Sequence, residues 1–256
     1  MSADLFGRVA LVSGGAGGIG SAICQELAGA GATVLVGYAG QPARAETLAG
    51  QLLGLPDGPG GHRALHLPVD DSAALAAAAK AIAEREGRLD LLVNNAGVTT
   101  PVAHRDLDAL SDEWFDTIMR VNVRGAFACV RAFAPLLCAG GDGLVVNISS
   151  VAGLTGLGSN VAYCASKAAL DSLTRSLGRA LAPEIRVVSV SPGWVDGEYS
   201  ARMSPDLLRV QAAQTPLGRI ARPQEVAHAV LAMATHLNFS TGCVIPVDGG
   251  RPLGSG

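Results

Sequence analysis

The feature that most narrows what this chain can fold into is a repeated alternation of short aliphatic runs and stretches long enough for a helix. The runs lie at 9–12, 32–36, 64–67, 89–93, 144–148, 187–190 and 244–247. Most are nearly continuous in Val, Leu, Ile and Ala rather than alternating apolar with polar. That is the pattern of strands buried on both faces, as parallel sheets require. Strand–helix–strand repeats join by right-handed crossovers, which place helices on both sides of the sheet. The expectation is an α/β chain: a single doubly wound domain over 1–256, with seven parallel strands. The 49% hydrophobic and 16% charged composition suits such a sheet, and with only 4% aromatic residues the core must be packed by Ala, Val and Leu.

Helices are expected at 18–29, 42–53, 72–86, 111–137, 161–181 and 223–236. Ser72 and Ser111 suit N-cap positions, and Pro42 and Pro223 suit first turns. Segment 56–61 (Pro-Asp-Gly-Pro-Gly-Gly) reads as a surface loop.

Several function classes lack support. A formal net charge of −3 gives no basic face for nucleic acid. Cys24, Cys129, Cys138, Cys164 and Cys243 form no C-x-x-C pair, which favours reduced thiols and a cytoplasmic chain over disulfides or a zinc site. The histidines form no H-E-x-x-H, so no catalytic metal is expected. Residues 1–7 lack the basic cluster and apolar run of a signal peptide, and no membrane span is expected.

The chemistry concentrates in two places. The first is Ser13-Gly-Gly-Ala-Gly-Gly-Ile-Gly20, between the first strand and the first helix. Glycines there let the backbone approach a pyrophosphate, and the N–H groups and dipole of the helix stabilise its charge. The second is Tyr163-Cys-Ala-Ser-Lys167, whose four-residue spacing sets phenol and ammonium on one helix face. A phenol of pKa about 10 is a poor base at neutral pH, and a nearby ammonium lowers it. Ser149 and Ser150 follow the 144–148 run, at the strand end where open α/β sheets place ligands. Strand alternation points one of the two at the site. Segment 143–166 holds no formal charge but contains Asn147, Ser149, Ser150, Asn160 and Ser166, whose burial calls for partners that a bound ligand would supply.

These motifs together, with Gly14, Gly18 and Gly20 spaced G-x-x-x-G-x-G, resemble the short-chain dehydrogenase/reductase family over essentially the whole chain. The resemblance implies strand order 3-2-1-4-5-6-7, a homotetramer, and nicotinamide-dependent interconversion of a carbonyl and a secondary alcohol. It selects Ser150 over Ser149 and implies a catalytic set of Asn122, Ser150, Tyr163 and Lys167. Tyr163 is the acid/base, Ser150 polarises the substrate oxygen, Lys167 lowers the phenol pKa and binds the ribose, and Asn122 holds a relay water. It also implies cofactor contacts from Ser13, Gly14, Gly18, Ile19 and Gly20, from Asn94, Ala96 and Gly97 of Asn94-Asn-Ala-Gly97, and from Pro192, Gly193 and Val195. Asp70 and Asp71 are expected at the adenine. Two departures stand out: Ser13 replaces a threonine, and Gly197 stands where many members place a threonine on the carboxamide. The second strand ends in Tyr38-Ala-Gly40 without the carboxylate that selects NAD, and Arg44 follows. NADP(H) is therefore favoured over NAD(H), although Gly17 replaces the loop Arg or Lys of many NADP-using members. The implied activity resembles 3-oxoacyl-thioester reductases, with small-alcohol, polyol or steroid dehydrogenases as the alternative. An epimerase or dehydratase, or a catalytically silent nucleotide-binding regulator, is a further reading.

Overall fold

The computed structural model describes residues 5–52 and 61–253. The loop expected at 56–61 lies outside them except for Gly61, as does the expected last residue, 53, of the second helix. Among the described residues the strands are β1 (Val9–Val12), β2 (Thr33–Tyr38), β3 (Arg63–His66), β4 (Leu91–Asn94), β5 (Gly143–Ile148), β6 (Ile185–Pro192) and β7 (Val244–Val247). They form one parallel sheet in the order β3-β2-β1-β4-β5-β6-β7, as expected.

The aliphatic runs are explained by two separate cores. Ala10 and Val12 of β1 enter one, whereas Val9 and Leu11 enter the other, because successive side chains point to opposite faces. The first core is closed by α1 (Gly18–Gly29), α2 (Pro42–Gln51) and α9 (Pro223–Thr235). The second is closed chiefly by α3 (Ser72–Arg85) and α5 (Ala126–Ala139). The small helix α6 (Ala152–Thr155), the long α7 (Val161–Ala180) and α8 (Pro205–Ala213) follow β5 and β6, and α6 and α8 were not anticipated.

Two helix readings need correction. Asp71, not Ser72, caps α3: its carboxylate accepts from the Ala73 and Ala74 N–H groups, leaving Ser72 as the first helical residue. The expected helix 111–137 is α4 (Asp112–Met119, capped by Ser111), a π-helical turn at Arg120–Gly125, and α5. The whole run 112–139 is long and apolar enough to cross a membrane by length and composition. Cys129, Phe133 and Leu137 on its inner face are nonetheless fully buried against the sheet, which accounts for much of that apolarity.

At the amino ends of the strands, buried Asp90 accepts from Arg88 (2.9 Å), Arg8 (3.0 Å) and the Val9 N–H (2.8 Å). Burial pushes its carboxyl up, but the hydrogen bonds from Arg88, Val9 and Arg8 outweigh this and hold it below the usual range. A depressed folded-state value means that the stabilisation is present at neutral pH and lost as pH falls below about 4. Asp90→Ala should cost about 2–4 kcal/mol in urea unfolding at neutral pH, since it orphans a buried N–H and two guanidinium groups. The gap from the parent chain should narrow in acid. A gap that widens in acid would contradict this account.

Candidate active site

The glycine turn is held against both neighbouring strands. Gly15 N–H donates to the Gly37 carbonyl (2.9 Å) and Gly17 N–H to Gly14 (3.1 Å). Gly14 adopts φ +61°, and a Cβ there would lie 3.1 Å from Ala96 Cα. A Cβ on Gly20 would overlap the Gly14 carbonyl and come within 2.8 Å of Asn95 Nδ2. Gly18, by contrast, opens α1 with nothing nearer than 3.8 Å to its would-be Cβ. No side chain caps α1. Its first-turn N–H groups therefore face outward over a backbone cradle, as binding a dinucleotide pyrophosphate requires. Half-buried Ile19 packs on the first core beside it.

Several residues expected to touch the cofactor also make hydrogen bonds within the protein. The buried Ser13 hydroxyl donates to the Val93 carbonyl (3.2 Å) and accepts from the Asn95 and Ala96 N–H groups (3.0 Å each). Asn95, which the sequence reading passed over, donates from Nδ2 to the carbonyls of Ser13 and Gly14 (3.0 Å each). Asn94 is buried, and its Nδ2 donates to Asn147 Oδ1 (2.9 Å), while Asn147 Nδ2 donates to Thr174 Oγ1 (2.8 Å). Asp70 accepts from Arg120 (3.3 Å), and its carbonyl accepts from Arg124 (2.9 Å), tying the loop after β3 to the π turn. One Asp71 oxygen is committed to capping α3.

The uncharged segment 143–166 resolves in the same way. Ser149 donates to the Lys167 carbonyl (3.3 Å), Asn160 caps α7 by accepting from the Tyr163 N–H (2.7 Å), and Ser166 donates to the Tyr163 carbonyl (2.8 Å). Partners that a ligand was expected to supply are protein groups. Ser150 alone of that cluster acts on the Tyr163 phenol, favouring its ionisation, while its hydroxyl accepts from the Ala152 N–H (3.2 Å).

Lys167 lies one turn below Tyr163 on α7, its ammonium 5.6 Å from the ring centroid and donating to the Ile148 carbonyl (2.8 Å). Gly97 passes close by, its would-be Cβ 3.8 Å from Lys167 Nζ and 3.4 Å from Asn122 Oδ1. Asn122 sits in the π turn. Its side chain accepts from the Val98 N–H (2.8 Å) and donates to the Val98 carbonyl (3.0 Å) and Ser166 (3.1 Å). Pro192 ends β6, its carbonyl accepting from Val151 (3.0 Å), and Gly193 N–H donates to Val247 (3.1 Å). Val195 bridges to Ala221 through Trp194 O and Asp196 N, which turns its own N–H away from that partner. Where the family threonine is absent, the buried Ser200 hydroxyl accepts from the Gly197 N–H (2.8 Å) and holds the loop.

The glycine turn, Ser150, Tyr163 and Lys167 thus meet at the carboxyl edge of the sheet. Residues 14–251 match the family model described as enoyl-(acyl carrier protein) reductase. The chain belongs to the short-chain dehydrogenases/reductases. Among curated members, it is 36% identical to a cis-4-hydroxycyclohexanecarboxylate dehydrogenase of Sinomonas cyclohexanicum, covering 95% of this chain and 96% of the relative. It is 33% identical to a 3-oxoacyl-[acyl-carrier-protein] reductase of Thermotoga maritima, covering 96% and 98%. A solved short-chain dehydrogenase/reductase from Burkholderia xenovorans superposes with TM-score 0.88 at 35% identity, over 96% of this chain and 98% of that one. As a member of this family the protein is an oxidoreductase acting on CH–OH groups with NAD(P)(H).

The electrostatics of this short-chain dehydrogenase differ from the sequence expectation in one respect. Burial pushes the Tyr163 phenol up to about 12, only partly opposed by Ser150. Burial also brings Lys167 down to about 8, with Asp171 pulling the other way. Burial of the phenol outweighs the neighbouring ammonium, which is itself desolvated and bonded to Ile148. In a near-UV titration of the protein without nucleotide, the tyrosinate signal that Tyr163→Phe removes should stay absent through pH 10 and grow only towards about 12. A component ionising below pH 9 that disappears in Tyr163→Phe would refute the raised value.

Proposed function

We propose that Tyr163 is the acid/base of this oxidoreductase, protonating a substrate carbonyl in reduction and accepting the alcohol proton in oxidation. The observation that carries this reading is Lys167 stacked 5.6 Å from the Tyr163 ring, with Ser150 acting on the phenol, at the edge where the glycine turn converges. Ser150 orients and polarises the substrate oxygen beside the phenol. Bound nicotinamide dinucleotide supplies the hydride donor or acceptor. Gly14, Gly18, Ile19 and Gly20 form its phosphate cradle, and the backbones of Ala96, Gly97, Pro192, Gly193 and Val195 flank the nicotinamide half. Lys167 holds the ribose and, with a proton that titrates near 8, exchanges protons with the phenol. The Asn122 amide is spent on Val98 and Ser166. Its part in a relay therefore falls to its main-chain carbonyl, in a turn whose hydrogen bonding departs from the α pattern.

NADP(H) is the favoured cofactor. The end of β2 carries no carboxylate for a ribose 2′-hydroxyl, and Arg44, in the first turn of α2, reaches the glycine turn through the Ala16 carbonyl (2.9 Å). A 3-oxoacyl thioester is the first substrate class, as the Thermotoga relative's name states for that protein. One observation favours a small cyclic or secondary alcohol instead: of the two arginines near the substrate loop, Arg209 is already paired with Asp206, leaving Arg202 for a carrier phosphate. A panel of acyl thioesters and ketones with NADPH and NADH separates them. Five free thiols suit a reducing cytoplasm. A homotetramer is supported by Trp114, Phe115 and Phe127, aromatics left 40–43% exposed along α4 and α5.

Tyr163→Phe should lower kcat by about a thousandfold while nucleotide affinity changes less than about threefold, since only the proton donor leaves. Lys167→Ala should weaken both nucleotide binding and turnover. Full activity of Tyr163→Phe would end this assignment. Phe127→Glu should convert a sedimenting tetramer to smaller species. A species unchanged in size, with the substitution folded, would remove α5 from the interface.

A further inference from the structure

Arg44 does more than stand near the glycine turn. Its Nη2 donates both to the Ala16 carbonyl (2.9 Å) and to Glu198 Oε1 (2.5 Å), while Nη1 bonds Gln41 (3.1 Å). Glu198 belongs to the loop after β6, whose next residue, Tyr199, stands near enough to Tyr163 to act on its ionisation. The same loop backbone packs on the first residue of α1: a Cβ on Gly18 would stand 3.8 Å from Glu198 N and 3.9 Å from Gly197 Cα. Tyr199, next along, lies against Trp194 with ring centroids 6.0 Å apart. One ion pair therefore ties the helix after β2, the phosphate cradle and the substrate loop together. Its partners are half-exposed, at 51% and 52%, so it can exchange with an anion from solvent.

We propose that Arg44 and Glu198 form a latch through which the substrate loop senses the nucleotide 2′-position, and that Glu198 is a determinant of cofactor choice. This rests on the dinucleotide reading of the glycine turn given above. A ribose 2′-hydroxyl carries no charge to draw a guanidinium from a carboxylate, so NAD(H) leaves the latch closed. A 2′-phosphate offers charge-assisted, bidentate hydrogen bonds and takes Arg44 from Glu198. Glu198 thereby works against NADP(H) twice, by competing for the arginine and by repelling the phosphate, and its release frees the loop. An exposed pair of this kind shifts an equilibrium only about twofold to fivefold, less at high salt, so the latch biases cofactor choice rather than dictating it.

The full-length chain and Glu198→Gln are titrated at low salt with NADP+ and NAD+, reading Kd. Glu198→Gln should tighten NADP+ by about three- to fivefold and leave NAD+ nearly unchanged. Combining it with Arg44→Ala should abolish that gain, because the two act through one contact. A second readout needs no turnover. In Trp114→Phe, which leaves Trp194 as the remaining tryptophan, adenosine 2′,5′-bisphosphate should shift the emission, and 5′-AMP should not. If the parent chain binds both dinucleotides but Glu198→Gln moves both Kd values equally or neither, the latch is wrong and the cofactor site stands. If it binds neither, the dinucleotide reading falls and the latch with it.

Discussion

The structure depends on keeping one ammonium buried at the end of a strand. Lys167 is 5% exposed, and removing such a charge from water costs several kcal/mol unless its donors are met. The carbonyl of Ile148, the last residue of β5, meets one of the three donors, so the charge is located by the sheet as well as by α7. A carboxylate within 4 Å would hold it better and make it inert. None of the described residues supplies one. Asp171, a turn further along α7, instead accepts from Ser189 (2.9 Å) and acts only through its field.

That demand propagates outward. Without ions, the surroundings of Lys167 must be satisfied by neutral dipoles, and each dipole by another. Ser149 takes the Lys167 carbonyl, Ser166 the Tyr163 carbonyl, and Asn122 links Ser166 to Val98. Across the sheet Ser13 and Asn95 bind the glycine turn to the loop after β4. The nucleotide cradle and the phenol are thus set by one hydrogen-bonded framework at the carboxyl edge, which preorganises both before any substrate arrives.

What sequence alone makes legible follows the same division. The strands and their order could be read because burial on both faces forces continuous aliphatic runs, as at 9–12, and Tyr163 and Lys167 because a helix fixes four-residue neighbours on one face. Roles within a polar cluster were not readable. Ser13, Asn94 and Asn147 look like ligand contacts in a one-dimensional pattern, but hydrogen-bond direction is decided by partners some 27 to 82 residues away. The π turn at 120–125 was read as plain helix because its residues have ordinary helical propensities, and the shift in hydrogen bonding comes from docking against Val69, Asp70 and Val98. The phenol's raised pKa was missed for a related reason. Spacing reports that an ammonium is adjacent, whereas burial, which outweighs it, is a property of the packed chain.

The loop after β6 obeys a different rule from the framework. It leaves the sheet at Pro192 and returns at the Val195–Ala221 bridge, and beyond that it is held by a serine staple, an aromatic pair and an exposed ion pair. The half-exposed ion pair is weak enough to be exchanged for a ligand contact, unlike the buried dipoles around Lys167. A rigid framework beneath an exchangeable cover is compatible with relatives about one-third identical being named for a cis-4-hydroxycyclohexanecarboxylate and for a 3-oxoacyl-[acyl-carrier-protein]. Specificity in such a molecule belongs to the weakly held polar contacts, because only those can respond to what binds.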